Sequence, residues 1–183
     1  SHHPGSLNVA SLASSTATIH AKFNYHGKTA HAAANPEQGR SALDAIELMN
    51  VGVNYLREHI IQQARIHYVI ESGGGQPNVV PDYARSWYYI RAPEIDQLEH
   101  IYKRVEKIAE GAALMTETTL KIDMDRGSYN KIPSRVLSEV VTANMRQVGA
   151  PTYTPEELAF AAAIAKTLPK QNKIDSLKKT KLP

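Results

Sequence analysis

Along residues 16–125 the hydrophobic period switches between two and about 3.6 residues in the order strand, helix, strand, strand, helix, strand. That order predicts an α+β fold of the ferredoxin-like βαββαβ kind. It is a four-stranded antiparallel sheet with two helices on one face, followed by extra C-terminal helices. Two further observations support it. Each strand pattern alternates, so the sheet has one face for a core, and glycine or proline marks the end of the first strand, the loop between the second and third strands and the start of the second helix.

Ala17, Ile19, Ala21, Phe23 and Tyr25 alternate with Thr18, His20, Lys22, Asn24 and His26, and Gly27 ends this first strand. Asn35-Pro36-Glu37-Gln38 then has helix-start chemistry: a capping Asn, Pro at the first position and Gln at the third, with Gly39 able to delay the start by a turn. Ala42, Leu43, Ile46, Met49, Val53, Leu56 and Ile60 recur at three- and four-residue steps, which predicts an amphipathic helix to about His59. Ile66, Tyr68 and Ile70 make a second strand. The loop from Ser72 to Asp82 follows, glycine-rich but without the Gly-Lys-Ser/Thr ending of a phosphate loop. Ala84–Arg91 is a third strand with Arg85, Trp87, Tyr89 and Arg91 on one side. Ala92-Pro93-Glu94 starts a second helix whose stripe is Leu98, Ile101, Val105, Ile108, Ala112 and Met115, with Glu94 and Asp96 where the helix dipole favours acids. Leu120, Ile122 and Met124 alternate as the fourth strand.

Beyond this plan the chain changes in kind. Ile132-Pro133-Ser134 opens a helix closed by Gly149, and Thr154-Pro155-Glu156-Glu157 is a capping box for another, through about Leu168 and stopped by Pro169. Two helices and a lysine-rich tail do not make a core. The expected organisation is therefore a lead-in over 1–15, a domain over 16–130, and over 131–183 a helical fragment of a further domain with a basic tail. The missing initiator Met agrees with a chain cut from something longer.

Composition excludes several classes of function. There are no cysteines, hence no disulfides or thiolate metal sites, which fits a cytoplasmic protein. No apolar run approaches a membrane span, and no signal peptide is visible. Net charge is +3, but Lys170, Lys173, Lys178, Lys179 and Lys181 crowd the tail and leave a near-neutral body, which weakens a nucleic-acid reading. The eight histidines include no His-x-x-x-His pair. No Gly-x-Ser-x-Gly is present.

Three polar groups stand out. His31 sits among alanines between a strand and a helix, where small neighbours permit close approach of a ligand. Asn78, between Pro77 and Val79, leads into the third strand, and Arg91 ends that strand. An arginine fork with an Asn amide is a natural carboxylate grip. Trp87, Tyr89, Arg85 and Arg91 leave a different reading open: a stand-alone ferredoxin-like binding module for nucleic acid or a small carboxylate, although the glycines of the RNA-recognition signature are absent.

Gly27-Lys28-Thr29-Ala30-His31-Ala32-Ala33, then Pro36 and Gly39-Arg40-Ser41-Ala42, resembles the lid (dimerisation) motif of the M20 metallopeptidases and amidohydrolases. Gly74-Gly75-Gln76-Pro77-Asn78-Val79-Val80-Pro81 resembles their second lid motif, with Ile90-Arg91 at the matching distance. The resemblance covers about residues 3–168. It implies a two-domain amidase in which two divalent metals, zinc or manganese, activate water against the amide of an aryl- or acyl-amino acid. It implies a lid that forms a homodimer, or a heteromer with a homologous subunit, and no nucleic-acid or membrane partner. By the same resemblance His31 stabilises the oxyanion across the dimer, Asn78 and Arg91 hold substrate, with Arg91 on its carboxylate, and His3 matches a metal ligand. The family's other ligands (a Cys/His-x-His pair, a Glu-Glu pair and a late His) lie outside this chain, so the fragment alone is expected to bind no metal and to be inactive.

Overall fold

A computed structural model describes residues 9–168. Its elements are β1 (Ala17–His26), α1 (Ala42–Leu56), β2 (Arg65–Ser72), β3 (Tyr83–Ala92), α2 (Ile95–Thr116), β4 (Thr119–Ser128), α3 (Arg135–Val148) and α4 (Pro155–Thr167). The strands form one antiparallel sheet in the order β2-β3-β1-β4. This is the βαββαβ sandwich anticipated from the periodicity. The described residues divide into one unit over 14–131 and a second comprising 9–13 and 132–168.

The first unit holds the core. One face of β1 and β3 is buried: Ala17, Ala21, Phe23 and Tyr25 from β1, and Ala84, Ser86, Tyr88, Ile90 and Ala92 from β3. Ala45, Ile46, Met49 and Val53 of α1 and Leu98, Val105, Ala109 and Ala112 of α2 close over it. Phe23 meets Tyr88 edge to face at 5.3 Å between centroids. The buried hydroxyls are satisfied, Tyr25 donating to the Ala109 carbonyl at 3.0 Å and Tyr88 to Asn50 Oδ1. Burial pushes both phenols well above their usual range. The helices cross closely at Gly52, where a Cβ would come within 2.6 Å of Ile108 Cγ2.

The structure corrects three local readings. Asn35 makes no side-chain cap, and Pro36–Gln38 is a single 3-10 turn. Gly39 then runs extended against Val80, and α1 starts only at Ser41, whose hydroxyl accepts from the Asp44 N–H at 3.1 Å. At the far end α1 stops at Leu56 and passes into a 3-10 turn over Arg57–His59. In α2, Met115 is 64% exposed rather than part of the buried stripe. Steps of three and four average less than the 3.6 residues of a helical turn, which puts Met115 about 100° around the helix from Leu98. Ala109 and Ala113 take its place in the core.

In the second unit, Ser134 caps α3 and Gly149, at φ 84°, closes it. Thr154 and Glu157 form the reciprocal capping box of α4. Neither helix buries a residue, and Val136, Leu137, Val140 and Phe160 remain exposed. Pro169 and the lysine-rich tail lie outside the described residues, as does His3.

Candidate functional site

Two loops at one end of the sheet pair with each other. The first, residues 27–41, leaves β1 and enters α1; the second, residues 73–82, leaves β2 and enters β3. Gly27 N–H donates to the Asp82 carbonyl at 2.8 Å, and Lys28 and Arg40 exchange backbone hydrogen bonds at 2.9 Å. Val80 N–H reaches the Ala30 carbonyl and Ala32 N–H the Asn78 carbonyl, both at 3.0 Å, so His31 and Val79 lie directly across a short bridge. The glycines are required sterically. A Cβ on Gly27 would sit 1.9 Å from the Arg40 carbonyl oxygen, and Gly74 adopts φ 106° against Pro81.

These loops hold the His31 ring by two backbone hydrogen bonds. Its Nδ1 accepts from the N–H groups of Ala33 (3.2 Å) and Ala34 (3.1 Å). A neutral imidazole that accepts at Nδ1 carries its hydrogen on Nε2. The exposed ring therefore offers Nε2–H as a donor, and the alanines around it leave access open. Asn78 stands beside it, its carbonyl committed to Ala32 and its side chain exposed.

Sequence reasoning missed the support of this loop. Arg40 Nε lies 2.5 Å from Glu117 Oε2, and Arg40 Nη1 donates to the carbonyls of Glu37 (3.1 Å) and Gly39 (2.7 Å). Glu117 follows α2 in the left-handed region at φ 53°, the one non-glycine there among the described residues. A glutamate where glycine is easier was the available signal, but it becomes visible only once the end of α2 is known.

Arg91 is placed elsewhere. It is exposed at the opposite end of β3, paired with Thr18 and Arg65. At about 3.4 Å per residue it lies roughly 27 Å along the strand from Tyr83, so one protomer does not join it to Asn78 in a single grip. The chain also enters and leaves the sheet at this end, where Ser14 Oγ donates to the Lys131 carbonyl at 2.6 Å. Among the described residues no group of three or more His, Cys, Asp or Glu side chains could hold a metal ion.

The described residues thus combine an α+β sandwich of the βαββαβ kind with a paired loop that carries His31 and Asn78. Residues 15–117 match the family described as Peptidase dimerisation domain, and the chain belongs to this M20 family. The B subunit of p-aminobenzoyl-glutamate hydrolase from Escherichia coli (strain K12) is 47% identical over 174 residues, which is 94% of this chain and 35% of that protein. Xaa-Arg dipeptidase of Mus musculus is 36% identical over 80% of this chain and 34% of its own length. The crystal structure of the aminobenzoyl-glutamate utilization protein from Klebsiella pneumoniae superposes with a TM-score of 0.66 at 25% identity, covering 73% of this chain and 34% of that one. The chain thus spans about a third of the length of these relatives. The family is one of amidohydrolases and peptidases that use divalent metals. No described helix is long and apolar enough to cross a membrane.

Proposed function

We propose that this chain is the lid and dimerisation part of a cytoplasmic, metal-dependent amidohydrolase that cleaves the amide of p-aminobenzoyl-glutamate or a related aryl- or acyl-amino acid. The metals, two zinc or manganese ions per site, belong to the longer protein. The described residues do not fit them, and His3 would contribute only as one ligand of that outside set. What this chain supplies is placement. His31 donates Nε2–H to the oxyanion of the tetrahedral intermediate, Asn78 orients the substrate beside it, and Arg91 receives the substrate carboxylate.

The observation that carries this reading is the separation of His31 and Arg91 along the sheet. The chain enters and leaves the sheet at the Arg91 end while His31 lies at the other, which supports a reading in which His31 serves the catalytic centre of a second copy. β2 is the edge suited to pairing: Val69 and Ile70 are exposed there, and Leu48, Val51 and Tyr55 of α1 are exposed on a single stripe. The other edge, β4, carries Lys121, Asp123, Asp125 and Arg126, charges that discourage strand addition. Two-fold pairing of β2 with its copy is antiparallel. It brings the partner subunit's His31 to the same end of the joined sheet as this chain's Arg91. A homologous A subunit in place of the second copy would meet the same surface.

The test is turnover of p-aminobenzoyl-glutamate by the longer protein, assayed with Mn²⁺ or Zn²⁺ and any partner subunit. Loss of one oxyanion donor in His31→Ala is expected to lower kcat by about 10²–10³. Unchanged kcat rejects the role of His31.

A further inference from the structure

The sheet face opposite the helices is built as more than a solvated surface. On β3 it presents Arg85, Trp87, Tyr89 and Arg91 in a row, and on β2 their cross-strand neighbours include Val69 opposite Trp87, His67 opposite Tyr89 and Arg65 opposite Arg91. Tyr89 lies flat on His20 of β1, with centroids 3.6 Å apart and planes at 8°. Trp87 meets Tyr89 edge to face at 5.0 Å, and Lys22 Nζ sits 4.6 Å from the Trp87 ring centroid. The rings are thereby braced from the β1 side. On the β2 side they line a cavity of about 230 Å³ with His67, Tyr68 and Val69. The Trp87 Nε1 and His20 Nδ1 atoms are inaccessible and have no hydrogen-bond partner, an arrangement that costs stability.

The charge at the end of this row is also unbalanced. Like charges directly across a sheet are destabilising, yet Arg91 faces Arg65. Arg65 turns its guanidinium back onto the carbonyls of Gln62 and Ala64. Arg91 is exposed and enters no ion pair among the described residues, whereas Lys22 and Arg85 share Glu71, and Arg126 has Asp125. An apolar, aromatic-walled cavity followed by a free arginine complements a ligand with a ring at one end and a carboxylate at the other. Residues two apart on one strand face are about 7 Å apart, a span that an aryl ring joined through an amide to an amino acid can bridge.

We propose that this outer face is the aryl subsite of the substrate: the ring enters between Trp87 and Tyr89 of β3 and His67 and Val69 of β2, and the carboxylate is taken by Arg91. The proposal rests on the reading of Arg91 given above and narrows it to aryl-amino acids over aliphatic acyl-amino acids.

Trp87 is the chain's only tryptophan, so its emission and its single indole N–H signal report on this site alone. The 183-residue chain is titrated with benzoyl-glutamate, acetyl-glutamate, benzamide and a short polyuridine RNA. Benzoyl-glutamate is expected to shift both Trp87 signals saturably, with acetyl-glutamate and benzamide each about tenfold weaker, as loss of one stacking or one charged contact predicts. Arg91→Gln, an exposed change that leaves the core intact, is expected to weaken benzoyl-glutamate by a similar factor. Tyr89→Leu, with the fold checked by circular dichroism, should do likewise. No saturable shift, equal binding of acetyl-glutamate, a response unaltered in Arg91→Gln, or tighter binding of the RNA overturns the proposal. If Trp87 stays silent while the longer protein hydrolyses p-aminobenzoyl-glutamate, only the aryl subsite fails. If the longer protein shows no amidase activity while Trp87 responds, the reading of the enzyme fails instead.

Discussion

Glu117 shows how much a single residue can disclose. A non-glycine side chain in the left-handed region costs about 1 kcal/mol, and its bridge to Arg40 is between exposed groups, worth no more than about 1 kcal/mol. Stability alone gives no reason to keep glutamate there. Arg40 does, because the same guanidinium holds the Glu37 and Gly39 carbonyls in the loop that carries His31. Glu117→Gly is therefore expected to separate two properties. Global stability in urea should be unchanged or raised by up to about 1 kcal/mol, since glycine relieves the strained conformation. Amide hydrogen exchange over residues 28–40, including the Ala33 and Ala34 groups that bond His31, should become faster. Unaltered exchange in that loop would show the bridge to be incidental. His31 itself was legible in the sequence as a histidine among alanines. Its tautomer was not, because that depends on two backbone groups whose direction only the folded turn sets.

At the scale of elements, the loop pair at the sheet end is held by one close backbone approach. A Cβ at Gly27 meets main-chain atoms of Arg40, which cannot move aside without breaking the Lys28–Arg40 pair. Gly27→Ala is expected to destabilise the chain by on the order of 1–3 kcal/mol, as overpacking against rigid neighbours does. Gly111 provides the contrast. It lies within α2 with open space around its would-be Cβ, so Gly111→Ala should stabilise by about 0.5–1 kcal/mol. Both changes are read from urea denaturation midpoints, and equal effects of the two would refute the steric account. All four strands were legible because each alternates over several residues, although only β1 and β3 bury most of one face: β2 buries Ile66 alone, and Met124 of β4 is exposed. The start of α1 was not. Asn35-Pro36-Glu37-Gln38 has every local mark of a helix start, but Gly39 must stay extended to pass Val80, a contact 41 residues away in sequence. Met115 failed for the opposite reason: its stripe was read at steps that a real helix does not keep. Arg91 was legible as a site candidate, whereas its distance from Asn78 followed only once the strand length was fixed.

For the whole molecule, the proposed dimer makes a claim that single variants do not test. One catalytic site draws Arg91 from its own chain and His31 from the partner. In the longer protein, His31→Ala and Arg91→Ala should each be nearly inactive alone, because every site in either homodimer lacks one group. Mixed after dissociation, the two variants form heterodimers with one site that has both groups and one that has neither. Random reassociation at equal concentrations makes half of the dimers mixed, so turnover should return to about a quarter of the wild-type value. If both groups came from the same chain, or both from the partner, every site in the mixture would still lack one of them, and activity would stay at the level of the separate variants. Recovery thus depends on the sheet being a shared object whose two ends serve different catalytic centres. In the proposed dimer, the length of these strands sets the distance between Arg91, proposed for one site, and His31, proposed for the other.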